Sequence, residues 1–474
     1  MGGKIQSGLD RSLPPLRRGG ARRYDMKGDR LTIDEVKAFL DANPGVQWID
    51  AFLFDMNGIP RGKRMRRSDL PGAVTNGIMM PTSVFIMDPL GNCIEETGRL
   101  WETGDLDHQC HLLSGTLRPV PVGDGKHGQV VMTVEDRDEL DPRTVLADQV
   151  ERFARAGQVP VAAVELEFYV SRKHSNGSFA LQSPEGVSGD PGQPLTFGFE
   201  EMDALSPFID DIYRICEVQG LPVDAVMKES GPGQLEINLK HRSDAVAAAL
   251  DGLLLKRAVK AAARAHQLEA TFMPKPHHDW AGSGMHVHLS LLDRSGANLF
   301  AGEPISPLFR HALGGMRETM ADFMAIWAQS ANAYRRYVPK AYVSMAAHWG
   351  FNNRTVALRI PRGHGSATRI EHRVAGADAN PYLVIASMLA GISHGVANEI
   401  DPGPAVEGNA EAIEAPPLPT AWVNALDRFQ RSGVVRSAFG ASFQEVFSRL
   451  KHAERCNFER IVTPLDHLWY SRVA

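Results

Sequence analysis

The sequence has few cysteines and no hydrophobic run long enough to cross a membrane. Four cysteines occur among 474 residues, and none lies in a CxxC pair. A disulfide framework needs more cysteines at regular spacings, so we expect free thiols in a reducing compartment, with the cytoplasm as the location. The longest apolar candidate, 245–263, is interrupted by four charged residues. Because a membrane-spanning helix needs about 20 predominantly apolar residues, we expect no membrane partner.

The sequence also lacks a strong excess of one charge. Its 51 lysines and arginines nearly balance 56 aspartates and glutamates, which gives a net charge of −5 with histidine neutral. Residues 1–24 hold six basic residues and one acidic residue, and we interpret 1–25 as a disordered basic tail rather than a transit peptide or a nucleic-acid arm. The remaining chain is acidic, so we expect no nucleic-acid partner. No GxxxxGK[ST] motif occurs, which disfavours a P-loop nucleotide site.

The length and composition predict more than one domain. At 43% hydrophobic and 23% charged residues, the chain can bury sizeable cores. Residues 26–138 are predicted to form a small, strand-rich domain, with a helix over 32–41 and strands over 48–55, 84–87 and 130–134. Thr32 and Glu35 form a capping box at the start of that helix. A second, larger domain is predicted over 139–474, because Asp141-Pro142 suits the start of a helix.

The larger domain combines strands with long helices. Apolar strands are predicted over 161–170, 223–228, 234–239 and 286–291, and helices over 143–156, 243–266 and 421–431. Pro/Gly-rich segments at 181–194 and 401–418 are predicted loops. This pattern indicates a mixed region of helices and sheet with one large site.

Two pairs of glutamates stand out in these strands. Glu165 and Glu167 alternate along a strand and therefore share a face. A solvated strand face would explain them, but the apolar flanks favour a metal site equally. Glu229 and Glu236 flank a Gly-Pro-Gly turn that can bring them together, although this spacing alone favours two surface glutamates at a turn.

Histidines and arginines add to this pattern. His286 and His288 form an HxH pair, which is a moderate metal signal that satisfied structural histidines also give. Four arginines lie in apolar surroundings, where burial needs an anion or a salt-bridged network; they are Arg354, Arg359, Arg369 and Arg373. Together the side chains suit Mg²⁺ or Mn²⁺ holding a polyphosphate.

Taken in order, these segments resemble the glutamine synthetase family from about residue 30 to the end. The similarity rests on Glu165-x-Glu167 and on the segments 229–236, 332–339, GSGMHVH (282–288), NNRTVALRIP (352–361), RIEHR (369–373) and ANPY (379–382). The resemblance implies an α+β fold, in which an N-terminal β-grasp domain precedes a catalytic domain with a curved antiparallel sheet and helices. It also implies a homo-oligomer, usually a homo-dodecamer, with active sites between subunits.

The resemblance further implies roles for individual residues. One divalent ion would be held by Glu167, Glu229 and Glu236, and another by Glu165, His286 and Glu371, with two to three ions per site. Nucleotide phosphates of ATP would be contacted by His288, Arg359 and Arg369. Arg354 would stabilise the transferring phosphoryl group, and Arg354, Arg359 and Glu371 are the implied catalytic residues. Substrate glutamate would be bound by Arg336, Arg373 and the Gly282 backbone.

Three positions depart from glutamine synthetases that use ammonium. Ala281 replaces an asparagine, Tyr342 replaces an acidic residue of a flap, and Pro81 lies where an ammonium-binding aspartate is expected. The chain is therefore more similar to the γ-glutamylpolyamine synthetase branch, and Tyr342 is implied to line a pocket for an organic amine.

The predicted function is ATP-dependent ligation of the γ-carboxylate of L-glutamate to a primary amine, most of all putrescine or another polyamine. The reaction would proceed through γ-glutamyl phosphate and give a γ-glutamylamide. Three alternatives stay open: a glutamine synthetase that uses ammonium, a ligase for ethanolamine or an alkyl- or arylamine, and a catalytically silent homologue.

Overall fold

The structure is a computed structural model that describes residues 30–172, 181–188, 195–303 and 305–473. The predicted basic tail and part of the predicted 181–194 loop lie outside these residues. All four cysteines are free, as predicted. Within the described ranges, no helix is both long and apolar enough to cross a membrane.

The N-terminal part is built on a six-stranded mixed sheet. Its elements are α1 (Ile33–Ala42), β1 (Trp48–Phe54), β2 (Pro60–Arg66), α2 (Leu70–Asn76), β3 (Ile78–Pro81), β4 (Asp107–Leu112), β5 (Arg118–Val120) and β6 (His127–Val134), with short 3₁₀ helices at Arg67–Asp69, Thr82–Ile86 and Glu95–Thr97. The strand order is β2-β1-β6-β4-β3, and β5 also pairs with β6. Because β1 runs parallel to β6 and antiparallel to β2, the sheet is mixed. Its buried side chains belong to one hydrophobic cluster that continues into the larger part of the chain.

Local predictions for this part are confirmed in one place and wrong in another. The side chain of Thr32 accepts the Glu35 N–H at 3.2 Å, and the Glu35 carboxylate accepts the Thr32 N–H at 2.8 Å, so the predicted capping box is present. The predicted strand over 84–87 is wrong, because Thr82–Ile86 forms a 3₁₀ helix. Four of its five residues are buried, and burial on all sides removes the alternation that separates a strand from a helical turn.

The larger part is built on an eight-stranded, almost wholly antiparallel sheet. Its elements are α3 (Pro142–Arg155), β7 (Gln158–Arg172), α4 (Glu200–Ala204), α5 (Ser206–Gln219), β8 (Val223–Lys228), β9 (Gln234–Leu239), α6 (Ala245–Ala265), β10 (Leu268–Thr271), β11 (Met285–Asp293), α7 (Pro307–Trp327), β12 (Trp349–Phe351), β13 (Leu358–Ile360), β14 (Ile370–His372), α8 (Pro381–Ala397), α9 (Trp422–Arg431), α10 (Gly433–Phe439), α11 (Ala441–Glu459) and α12 (Pro464–Tyr470). The strand order is β12-β13-β14-β11-β7-β9-β8, with β10 also paired to β7. The predicted α+β class is therefore confirmed.

Helices α7 and α8 form the close-packed centre of the larger part. A Cβ at Gly315 would lie 2.2 Å from the Gly391 carbonyl oxygen, and a Cβ at Gly395 would lie 2.1 Å from the His311 carbonyl oxygen. Only glycine permits this approach of two helix backbones. Helices α3 and α6 pack against β7 of the sheet, and both also contact α8.

Candidate active site

A group of charged side chains lies on one face of the eight-stranded sheet. Glu165 and Glu167 occupy alternate positions of β7 and so share a face, as their spacing predicted. In the antiparallel register, Glu236 on β9 lies opposite Glu167, and His286 on β11 lies opposite Glu165. Strand pairing therefore brings together residues that are far apart in the sequence.

Glu229 reaches the same group from the turn between β8 and β9. Its backbone N–H donates to the Gln234 carbonyl at 2.9 Å and closes the turn. Gly233 in this turn has a φ of 68°, a left-handed conformation that favours glycine. The charge of Glu229 acts on Glu236, so the two groups lie near each other, and Glu236 is buried rather than a surface glutamate.

Glu165 is hydrogen-bonded to three neighbouring side chains. Its Oε2 lies 3.2 Å from Nδ1 of His286, and its Oε1 lies 2.8 Å from Nε2 of His288. Asn238 on β9 donates its Nδ2–H to Oε1 at 3.3 Å. Burial opposes ionisation, but the hydrogen bonds to the two histidines outweigh it and hold the pKa of Glu165 below its usual range.

Two other carboxyl groups experience the opposite effect. Burial raises the pKa of Glu229 to about 7, and the charge of Glu167 acts in the same direction. Burial, together with the charges of Glu167 and Glu165, also raises the pKa of Glu236 well above its usual value. Carboxylates gathered at such a cost are expected where a cation compensates them.

Within this group of side chains, two triads of described residues place ligand atoms close enough to share a metal ion. One is Glu165, Glu236 and His286, and the other is Glu165, His288 and Glu371; within each triad the ligand atoms lie within 4.8 Å of one another. Oxygen ligands with one imidazole suit Mg²⁺ or Mn²⁺. The donor set and the raised carboxyl pKa values therefore fit a divalent ion.

These triads overlap with the predicted ligand sets without reproducing them. Glu165 belongs to both triads, and His288, which the resemblance assigns to nucleotide phosphates, is a further candidate ligand. Glu167 is instead engaged by the backbone, because the Gly284 N–H donates to its Oε2 at 2.7 Å. The individual ligand assignments remain predictions.

Arg336 is buried against the glycine segment that precedes β11. Its Nη1 donates to the Val374 carbonyl at 3.1 Å, and only 2% of the residue is exposed. A Cβ at Gly282 would lie 2.9 Å from the Arg336 Cγ, and a Cβ at Gly284 would lie 2.8 Å from its Nη2. Among the described residues its Nε has no hydrogen-bond partner, so a buried cation with an unused donor faces this site.

Arg359 and Arg373 share one carboxylate. Nη1 of Arg359 donates to Oε2 of Glu371 at 2.6 Å, and Arg373 donates to the Oε1 of the same group. Burial opposes ionisation of Glu371, but the charge of Arg373 and other neighbouring cations lowers its pKa. The salt-bridged network that the sequence analysis considered for buried arginines is therefore present at Arg359 and Arg373. The buried Nε of each arginine has no hydrogen-bond partner among the described residues.

The remaining predicted arginines lie at the edges of the group. Nε of Arg369 donates to Nδ1 of His288 at 3.1 Å, which orients that ring toward Glu165. Arg354 is exposed, and its charge lowers the pKa of Glu229, so it lies near the acidic group. These positions suit contacts with phosphates.

Tyr342 lies outside the acidic group, on the segment that follows Arg336. Its φ of 53° is unusual for an aromatic residue, and 71% of the residue is exposed. It lines a cavity of about 440 Å³.

Asn238 is a site residue that the sequence analysis missed. It follows Glu236 by two positions on β9 and contacts Glu165. The alternation of side chains along the strand is the signal that would have identified it.

Comparisons with known proteins agree with this arrangement. The family model of the glutamine synthetase catalytic domain matches residues 139–470. Gamma-glutamylputrescine synthetase of Escherichia coli strain K12 is 39% identical over 459 residues, which are 95% of this chain and 97% of that protein. Glutamate–isopropylamine ligase of Pseudomonas sp is 31% identical over 438 residues, which are 89% and 94% of the two chains.

A solved structure extends the similarity to the fold. The complex of GmaS with ADP superposes with a TM-score of 0.80 at 25% identity, and the match covers 92% of this chain and 99% of that chain. The sequence similarity and the structural match both cover the two sheets described above. The chain therefore belongs to the glutamine synthetase family.

Proposed function

We propose that the protein ligates the γ-carboxylate of L-glutamate to a primary amine at the expense of ATP. The observation that carries the proposal is the group of carboxylates and histidines on one sheet face, with buried arginines beside it whose Nε donors have no described partner. The activities named for its relatives, a gamma-glutamylputrescine synthetase and a glutamate–isopropylamine ligase, support this reaction.

Ligases of this family use ATP and a divalent metal. We propose two to three Mg²⁺ or Mn²⁺ ions per site, held by residues drawn from Glu165, Glu167, Glu229, Glu236, His286 and Glu371. Bound metal ions supply charge neutralisation for the transferring phosphoryl group. ADP in the complex with GmaS supports a nucleotide in the same fold.

The arginines of this chain would bind the other substrates. Arg336 and Arg373, with the Gly282 backbone, would hold the carboxylate of glutamate, because a guanidinium with free donors matches that group. Arg359, Arg369 and His288 would contact the nucleotide phosphates. Arg354, which is exposed and acts on Glu229, would stabilise the γ-phosphoryl group during transfer.

The amine would enter on the side of Tyr342. Alkylamines have pKa values near that of lysine, about 10.4, so the nitrogen must lose a proton before it attacks. We propose putrescine or another polyamine as the substrate. Ammonium, ethanolamine and alkyl- or arylamines are the competing acceptors.

We further propose a homo-dodecamer with active sites between subunits, located in the cytoplasm and without a nucleic-acid or membrane partner. The free cysteines support a reducing compartment.

A panel of amines in a phosphate-release assay tests the proposed reaction. With ATP, Mg²⁺ and glutamate saturating, we expect release to depend on a primary amine and to be faster with putrescine than with ammonium. Faster release with ammonium would identify a glutamine synthetase instead. If calorimetry finds no binding of Mg²⁺-ATP and no amine supports release, the chain is a catalytically silent homologue.

A further inference from the structure

A cavity of about 440 Å³ opens on the segment that carries Tyr342. It is lined by Lys340, Tyr342, Val343, Thr355, Asn409 and Glu411. Thr355 is the chain neighbour of Arg354, whose charge acts on Glu229. The cavity therefore includes the residue that follows Arg354, the arginine assigned above to the γ-phosphoryl group.

One wall of the cavity comes from an acidic loop. Residues 401–418 contain four acidic residues and no lysine or arginine. Asp401 of this loop pairs with Arg310, whereas Glu411 lines the cavity beside Lys340. The negative charge that can attract a cation to the cavity is therefore that of Glu411. A substrate that keeps a positive charge while it reacts would benefit from this surface.

The loop is fastened to the segment that carries Tyr342. His348 Nε2 lies 2.9 Å from the Ile413 carbonyl, and the Ala347 N–H donates to the Pro416 carbonyl at 2.9 Å. The Lys340 backbone N–H donates to Oε1 of Glu411 at 2.7 Å. The backbone of Lys340 thus orients the Glu411 carboxylate. The Lys340 ammonium group forms no salt bridge with Glu411 among the described residues, so this bond does not neutralise the carboxylate.

Tyr342 completes the surroundings of Glu411. Both Tyr342 and Lys340 have positive φ values, 53° and 63°, and such backbone strain is commonly kept at functional sites. The Tyr342 ring is largely exposed, and an aromatic face attracts ammonium groups. The cavity thus joins an oriented carboxylate to an aromatic ring.

We propose that this cavity binds the distal ammonium group of a diamine, and that Glu411 selects diamines over monoamines. The inference rests on the proposed ligase function. The near amine, as the free base, would attack the carbonyl carbon of γ-glutamyl phosphate. The new C–N bond forms as the C–O bond to phosphate breaks, phosphate leaves with that electron pair, and the nitrogen loses one proton to solvent. The distal ammonium stays charged throughout and is held by Glu411.

Putrescine and butylamine test this inference, because they share a four-carbon chain and differ in the second amino group. We expect Glu411→Gln to lower the ratio of kcat/KM for putrescine to that for butylamine by about tenfold, since a hydrogen bond to a charged group is lost. The loss should arise in the KM for putrescine. Glu411→Lys should lower the ratio further by repulsion. The matched control is Glu414→Gln, an exposed glutamate of the same loop that does not line the cavity.

The outcomes separate the inference from the proposed function. If the wild type ligates both amines and the ratio is unchanged in both Glu411 variants, the inference is overturned and the ligase function stands. If Glu414→Gln lowers the ratio as much as Glu411→Gln, the loop acts through its general field and the assignment to Glu411 is wrong. If no amine supports phosphate release in the wild type, the proposed function fails and the inference fails with it.

Discussion

Removing the buried guanidinium of Arg336 is expected to weaken glutamate binding selectively. The group is 2% exposed, uses Nη1 on the Val374 carbonyl, and keeps its Nε unused among the residues described. At the lower end of the usual range, two charge-assisted hydrogen bonds to a carboxylate contribute about 3 kcal/mol to binding. This energy corresponds to about a hundredfold or more in affinity. We therefore expect Arg336→Ala to raise the KM for glutamate by about a hundredfold.

Initial rates at varied glutamate and at varied ATP measure this effect. The KM for ATP should change little, and Arg336→Lys should recover only part of the glutamate affinity, because lysine keeps the charge but loses the planar fork. The exposed neighbour provides the control Arg335→Ala, and thermal unfolding checks that each variant is folded. An unchanged KM for glutamate in folded Arg336→Ala would refute the assignment of this arginine to the substrate carboxylate.

Two further predictions concern stability. Mg²⁺ should stabilise the wild type by about 2.7 kcal/mol at a hundred times its Kd. Glu236→Gln should be more stable than the wild type without metal, since burial and repulsion by neighbouring carboxylates raise the pKa of Glu236, yet it should gain less stability from Mg²⁺. In a thermal melt at matched ionic strength, the exposed control Glu269→Gln should behave as the wild type. Burial raises the pKa of Asp141 from 3.8 to about 6, so the native state loses stability as pH rises through this window and the penalty is complete above it. Asp141→Asn removes the penalty, and its stability relative to the wild type, measured by denaturant unfolding, should increase by up to about 3 kcal/mol from pH 4 to pH 7; a constant difference would show that Asp141 does not titrate in this way.

The sequence predicts local features of this fold well where the signal is short in range. The capping box at Thr32, the shared face of Glu165 and Glu167, and the turn after Glu229 all depend on residues within one or two turns of chain. β2 was missed because its residues are mostly basic and exposed, although the hairpin signal Asn57-Gly58 precedes it. An edge strand such as β2 pairs with only one neighbouring strand, and its side chains can face solvent. It therefore needs little hydrophobic patterning.

Contacts between distant strands could not be predicted from the pattern alone. Glu371 pairs with Arg359 and lies opposite His288 through register, and no local feature of the sequence sets that register. The contact of Glu411 with the Lys340 backbone has the same origin, because it depends on how a long loop is held against a distant segment. The family resemblance predicted that the arginines and carboxylates form one site. Their individual hydrogen-bond partners were identified only from the structure.

The most direct test of the central claim follows an oxygen atom from glutamate to phosphate. The enzyme would be supplied with ATP, Mg²⁺, putrescine and L-glutamate labelled with oxygen-18 in the γ-carboxylate, and the products weighed by mass spectrometry. Ligation through γ-glutamyl phosphate predicts one labelled oxygen in the released phosphate and a γ-glutamylamide that contains putrescine. Unlabelled phosphate, or glutamine as the product when ammonium is also present, would contradict the account.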